Sequence, residues 1–271
     1  MSHSSKAGVA TASRARRSVA SEVPQVNRDL ARLARDAGGF DASRYFRSDV
    51  AVQFFNVGTT AMRALARSIQ REHSSDWTVR DALAFAGLLI RDRHLETKSV
   101  GIEVLACYRE QFSPRLLAVW KRWLAGGHSS NWATTDAICG YLIGPLLVRQ
   151  RRLVPQMRLW ARHRSLWVRR ASAVSLVGLA RKGVALNDAY AIARALHADS
   201  EDLIRKAVGW LLREAGKTDP ARLEHYLRMN GPAIARTTMR YAVERMPEAK
   251  RRAMLKATRG GADRTVAGGQ I

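Results

Sequence analysis

Apolar residues recur three and four positions apart between about residues 22 and 257, while runs alternating with a period of two are absent. The pattern predicts helices over roughly 22–37, 41–49, 59–74, 79–92, 95–110, 114–125, 131–147, 153–163, 165–182, 188–198, 201–216, 219–229, 232–246 and 247–257. Expected caps are Asp41, Thr78, Ser130, Asp188 and Ser200, whose side chains can accept from free backbone N–H groups. Pro114, Pro220, Pro232 and Pro247 fall at or near first turns, where the missing N–H of proline costs little. Breaks such as Ala125-Gly126-Gly127 are short, so neighbouring helices are expected to form hairpins.

The stretch LIRKAVGWLLREAGKTDP, residues 203–220, shows the pattern best. At 100° per residue Leu203, Ile204, Ala207, Val208, Leu211, Leu212 and Ala215 form one apolar stripe, and Arg205, Lys206, Gly209 and Arg213 gather opposite. Trp210 sits at the edge of the stripe, about a turn from Lys206 and Arg213. It reads either as a platform for a flat anionic ligand or as a boundary residue over a helix–helix seam. LWVRRASAVSLVGLARK (166–182) aligns with DLIRKAVGWLLREAGKT (202–218) at an offset of 36, so that Arg169 meets Arg205 and Arg170 meets Lys206. Each copy follows a helix of about ten residues. A two-helix unit of this period predicts an all-α, HEAT-like helical-repeat solenoid, C-shaped, whose second helices line a basic concave face.

Composition narrows the partners. There are 46 Lys plus Arg against 23 Asp plus Glu, a net charge of +23, and arginine dominates. This balance suits a polyanion, nucleic acid before an anionic membrane surface. No apolar run approaches the roughly 18 residues that span a bilayer. Cys107 and Cys139 form no disulfide framework and no zinc set, which fits a reducing compartment, and the scattered histidines predict no metal and no cofactor. The first 21 residues, rich in Ser, Ala and Arg, read as a disordered basic arm, with a transit peptide as the other reading; 258–271 reads as a glycine-rich disordered tail. The body is then 22–257. The bacterial cytoplasm or nucleoid is the expected location, and a monomer on DNA without an obligate protein partner is the expected state.

One acidic residue stands out. In NWATTDAICG, Trp132 and Asp136 are four apart and share a helix face with Ala133, Ala137 and Gly140, small enough for a large object to come close. Asp136 is isolated among Arg149, Arg151, Arg152, Arg158, Arg162 and Arg164. It reads either as a functional carboxylate or as half of an ion pair inside the stack. Arg170, flanked by Val174 and Val177, needs a partner, either Asp136 or a phosphate. Trp132 and Asp136, then Arg170, then Lys206 and Trp210 recur at separations of 34 to 36 and should form one row. A single carboxylate is too few for a metal-dependent phosphodiesterase. It suits cleavage of an N-glycosidic bond, where it stabilises a cationic sugar, indoles attract a cationic base, and that base leaves neutral without a general acid.

These residues also carry a resemblance. SNWATTDAI, SLWVRRASAVSL and LIRKAVGWLLREAGKTDP, with SRYFRSDV and ETKSVGIEVL as looser matches, are similar to the DNA alkylation repair enzymes with HEAT-like repeats, the alkylpurine DNA glycosylases of AlkD type. The resemblance covers about 22–257. It implies a C-shaped solenoid gripping double-stranded DNA and excising N3- and N7-alkylated purines without swinging the lesion into a pocket, in contrast to base flipping. It gives Asp136 the catalytic role, sets Trp132, Trp210 and Tyr45 against the lesion or its sugar, and has Arg170 hold backbone and Asp136. Lys206, Arg213, Arg149, Arg151 and Arg152 are the remaining expected DNA contacts. Asn131 stands where the family has a second tryptophan, a departure expected to alter packing against the sugar. Relatives without excision activity exist; the matched Trp, Asp, Arg and Trp argue against placing this chain among them. A non-catalytic HEAT-repeat protein that binds damaged or branched DNA is the alternative, and a scaffold for an acidic protein partner is a third reading.

Overall fold

A computed structural model describes residues 19–35, 46 and 52–258. Among them the regular structure is helical: α1 (Val19–Leu33), α2 (Thr59–Glu72), α3 (Val79–Leu89), α4 (Leu95–Ala106), α5 (Leu116–Ala125), α6 (Trp132–Ala137), α7 (Gly144–Arg149), α8 (Gln156–Trp160), α9 (Leu166–Val174), α10 (Val177–Ala180), α11 (Leu186–Ala195), α12 (Asp202–Ala215), α13 (Pro220–Asn230), α14 (Arg236–Ala242) and α15 (Glu248–Ala257). No strand occurs among the described residues; one isolated bridge pairs Gln53 with His94. The expected helix 41–49 and Tyr45 lie outside the described residues, as do 1–18 and 259–271. α1 reaches back to Val19, into the expected arm, and Thr258, expected in the tail, is buried at the end of α15.

The helices pack as two rows. α4, α6, α9, α12 and α14 touch in that order, and α5, α8, α11 and α13 lie on the other side, each packed against a member of the first row. This is the stacking predicted by the offset of 36, with one continuous apolar core between the rows. A repeat of this kind cannot bury its apolar face alone, so the core runs uninterrupted through the stack.

Local chemistry sets the helix ends. Asp81 accepts from the Thr78 N–H at the start of α3, and Asp219 accepts from the Arg222 N–H with Pro220 opening α13. The cap of α6 is Asn131, not the expected Ser130: its side chain accepts from the Thr134 N–H at 2.7 Å and donates to the Thr134 hydroxyl at 3.0 Å. α6 and α7 belong to one helical run, joined by a π-helical stretch over Ile138–Ile143. Pro145 explains it, because proline lacks an N–H and its ring clashes with the carbonyl four residues back in an α-helix. The widened turn bonds Gly144 N–H to the Cys139 carbonyl, five residues back.

Gly209, expected on the open side of α12 beside Trp210, is buried. A Cβ there would sit 2.4 Å from Tyr241 Cβ and 2.8 Å from the Thr238 carbonyl oxygen, so the missing side chain is what lets α14 approach α12. Gly209→Ala is therefore expected to lower stability by about 1–3 kcal/mol through overpacking, more than offsetting the roughly 1 kcal/mol gained in helix propensity. Urea denaturation of the two proteins reads this directly; a stabilised variant would show that the two helices can separate at no cost.

Candidate functional site

Asp136 lies in the last turn of α6, and Arg170 in the middle of α9, the next helix of the row. Arg170 Nε donates to one carboxylate oxygen of Asp136 and Nη2 to the other, both at 2.8 Å, and Nη1 donates to the Leu203 carbonyl at the start of α12. The Arg170 side chain is 7% exposed and that of Asp136 18%. Burial raises the pKa of Asp136, and the charge and hydrogen bonds of Arg170 oppose the rise. Of the two partners expected for Arg170, Asp136 or a phosphate, the structure shows Asp136: the guanidinium is almost wholly enclosed and serves as a brace on the carboxylate.

Asp136 has an unusual setting. Between Glu110 and Asp188 it is the one acidic residue in the sequence. Gly140, one turn further on, is exposed, and a Cβ added there would meet nothing within 4 Å, so the backbone beside the carboxylate is open to a bulky ligand. Cys139 supplies no nucleophile: burial first, and then Asp136, push its thiol up to about 12.

Both expected tryptophans are partly buried. Trp132 opens α6, four residues before Asp136, and Trp210 packs against the core from the edge of α12, a boundary residue as its position in the stripe suggests. Asn131 is 5% exposed and turned into the cap, so its side chain is not presented at the surface. The aromatic that does reach the site is one the pattern did not single out: Phe46 stacks on Trp132 with ring centroids 5.4 Å apart and planes at 11°. Its signal in the sequence was its place beside Tyr45 in SRYFRSDV.

The expected DNA-contacting cations divide. Lys206 pairs with Asp202 one turn earlier on α12 and remains half-exposed. Arg213 is mostly enclosed between Glu214 and Glu244. Arg149 ends α7, thirteen residues after Asp136 or roughly 20 Å along the axis, and is engaged by the Arg109 carbonyl and Glu110. Arg151 and Arg152 follow it, exposed. Arg169 is pinned by Asp199 at 2.7 Å and by the carbonyls of His163 and Arg164. ETKSVGIEVL proves to hold staples: Glu96 accepts from the N–H groups of Phe55 and Val57, and Lys98 donates to the carbonyls of Ile90 and His128. Among the described residues no group of three or more His, Cys, Asp and Glu side chains could hold a metal ion, and no helix is long and apolar enough to cross a membrane.

Arg170→Met removes one half of a buried ion pair and leaves Asp136 and the Leu203 carbonyl without their donor. The expected cost is about 3–5 kcal/mol in chemical denaturation, with partial recovery when Asp136→Asn is added. A loss below about 1 kcal/mol would mean that Arg170 braces nothing.

The profile of the family described as DNA alkylation repair enzyme matches residues 26–246. Among solved structures, the chain is similar to a predicted DNA alkylation repair enzyme from Enterococcus faecalis, with a TM-score of 0.63 and 19% identity, covering 73% of this chain and 90% of that one. The search of curated proteins finds no match.

Proposed function

The chain belongs to the DNA alkylation repair enzyme family, and from that premise we propose that it is a monofunctional DNA glycosylase. It hydrolyses the N-glycosidic bond of cationic N3- and N7-alkylated purines in duplex DNA, with the base left in the helix. The carrying observation is the Asp136 carboxylate, enclosed, oriented by two hydrogen bonds from Arg170 and four residues from a partly exposed tryptophan.

In the proposed reaction the bond between C1′ and the purine nitrogen breaks, its electron pair leaves with the base, and the cationic base departs neutral. Positive charge grows on the sugar, and the Asp136 carboxylate stabilises it where bulk water is largely excluded. Water then adds to C1′, and its proton passes to the carboxylate or to solvent. Arg170 occupies two of the roughly four lone-pair sites of the carboxylate, which leaves acceptors for that water. Trp132 and Trp210 are assigned to the lesion and its deoxyribose, where indole faces attract the cationic base. Lys206 is assigned to DNA phosphates on the face formed by the row of α6, α9 and α12, and Arg151 and Arg152, exposed in the link between α7 and α8, are assigned to phosphates further along the duplex.

A second reading has one observation in its favour. Both oxygens of Asp136 are gripped by Arg170, as in a purely structural ion pair, which fits a non-catalytic protein that binds damaged DNA. Release of free 7-methylguanine from duplex DNA decides between the two.

Asp136→Asn keeps the shape and removes the charge. It is expected to slow single-turnover release of 7-methylguanine about a hundredfold, on the order of 3 kcal/mol, with DNA affinity held or slightly raised. Equal rates would remove Asp136 from the mechanism. The rate of the parent protein should be level at neutral pH and fall on acidification. The fall should be centred above the pH of an ordinary aspartate, because burial raises the pKa of the group that must stay ionised. A level profile down to the ordinary aspartate range would contradict the enclosed carboxylate. Replacing Arg151 and Arg152 together by Gln should weaken binding to damaged and undamaged duplex alike and reduce the slope of log affinity against log salt by up to about 2. A loss confined to damaged duplex would argue against their assignment to phosphates.

A further inference from the structure

A second arginine joins three neighbouring elements of the stack. The helical run of α6 and α7 has α4 and α9 as its neighbours in the row. From α9, Arg170 reaches Asp136; from α2, Arg63 reaches Tyr141, in the π-helical stretch that follows Asp136. Arg63 Nη2 donates to the Tyr141 hydroxyl at 2.6 Å, and Nε donates to Glu103, on α4, at 3.1 Å.

The residues of the π-helical stretch decide what it shows to solvent. Ile138, Cys139, Leu142 and Ile143 are buried, Gly140 is exposed and Tyr141 is half-buried. The Tyr141 ring packs against the core, and its hydroxyl meets the guanidinium of a side chain that is 44% exposed. Next to it in the chain is Gly140, where an added Cβ would meet nothing within 4 Å, so the backbone beside this tyrosine is open.

A phenol can accept and donate at once. The Tyr141 oxygen accepts from Arg63, and among the described residues no acceptor takes its own proton. Water could take it, but water does not require the hydroxyl to be held by an arginine that is itself held by Glu103. A donor on the phenol oxygen polarises the O–H bond and strengthens it as a donor in turn. Glu103 balances the charge of Arg63, so the pair draws in no anion by net charge. What remains is a fixed, neutral, strengthened donor beside open backbone. Such a donor gains most from a charged acceptor, and phosphate oxygens are the main acceptors that duplex DNA offers to tyrosine hydroxyls.

We propose that the Tyr141 hydroxyl donates to a phosphodiester oxygen of the duplex, with Arg63 as the positioning residue that holds and polarises the phenol. The assignment rests on the duplex-binding part of the glycosylase reading and not on its chemistry.

The probes are an undamaged duplex and the same duplex carrying one tetrahydrofuran abasic-site analogue, each titrated over a range of salt. Tyr141→Phe keeps the ring and removes the proton. It is expected to bind both duplexes about tenfold more weakly, the scale of one hydrogen bond to a charged group. The slope of log affinity against log salt should not change, because no cation is lost. Arg63→Met combined with Glu103→Gln removes the support at constant net charge. That variant should lose up to the same tenfold, and adding Tyr141→Phe to it should bring the loss to that of Tyr141→Phe alone. Binding by Tyr141→Phe equal to that of the parent overturns the proposal. A loss confined to the abasic duplex overturns it in favour of a contact with the lesion. Losses that multiply when the variants are combined overturn the positioning role of Arg63. A loss explained by a smaller folded fraction, read by urea denaturation, shows that the hydroxyl serves the fold and overturns the contact. Release of 7-methylguanine is scored separately. Its absence beside the expected losses removes the glycosylase reading and leaves the phosphate contact standing.

Discussion

The bidentate pair between Arg170 and Asp136 is the interaction on which the arrangement of the site depends. A solenoid repeat touches only its neighbours, so the relative placing of three successive repeats is the sum of two independent interfaces. Arg170 removes that independence. From α9 it holds the carboxylate on α6 and the first-turn carbonyl of Leu203 on α12. Trp132, at the other end of α6, and Lys206 and Trp210 on α12 are thereby referred to one guanidinium. An enclosed carboxylate without this partner would be costly enough to protonate or to pull the helices apart, so charge compensation and geometry are the same requirement here.

Charge economy gives the pair its meaning. Thirteen lysines and arginines fall between Glu110 and Asp188 with a single carboxylate among them. The acids at the two ends of this region, and others beyond, serve as pins: Glu110 on Arg149, Asp188 on Arg158, Asp199 on Arg169 and Glu214 on Arg181. The exposed pairs on Arg149 and Arg158 contribute little stability each, while Asp199 and Glu214 are enclosed; in every case the acid holds a particular guanidinium group in place. The self-repulsion that remains favours any partner that brings phosphates.

What could be read in the sequence followed from locality. Helical periodicity is a property of neighbouring residues, and an offset of 36 between two helices becomes a side-by-side packing almost without further information, so the approach of Asp136 to Arg170 was legible. The cap of α6 fell on Asn131 and not on Ser130, because either residue type can cap and the chain pattern alone does not say which side chain turns in to accept from a free N–H. Gly209 was misread because α12 alone gives no sign that α14 would pack on its polar side; the closeness belongs to residues about thirty positions away in the chain. Phe46 lies 86 residues from Trp132, and no periodicity links a segment outside the repeats to a ring inside them. Tertiary contacts of this kind enter only once the chain is folded.

The π-helical turn after Asp136 shows how one helix serves both a site and a core. At about 100° per residue, Leu147 in a regular α-helix would fall only roughly 20° from Asp136, on the same face. Yet Leu147 is fully buried, while Asp136 turns to Arg170 and keeps a partly exposed side chain. A π turn takes up about one extra residue, which rotates everything beyond it back by roughly 100° and carries Leu147 off that face. Leu146 is brought almost opposite Asp136, and it too is fully buried. Pro145 favours the widened turn because a regular one would set its ring against the carbonyl of Tyr141. A proline nine residues beyond the carboxylate is therefore part of what lets Asp136 face Arg170 while Leu146 and Leu147 enter the core.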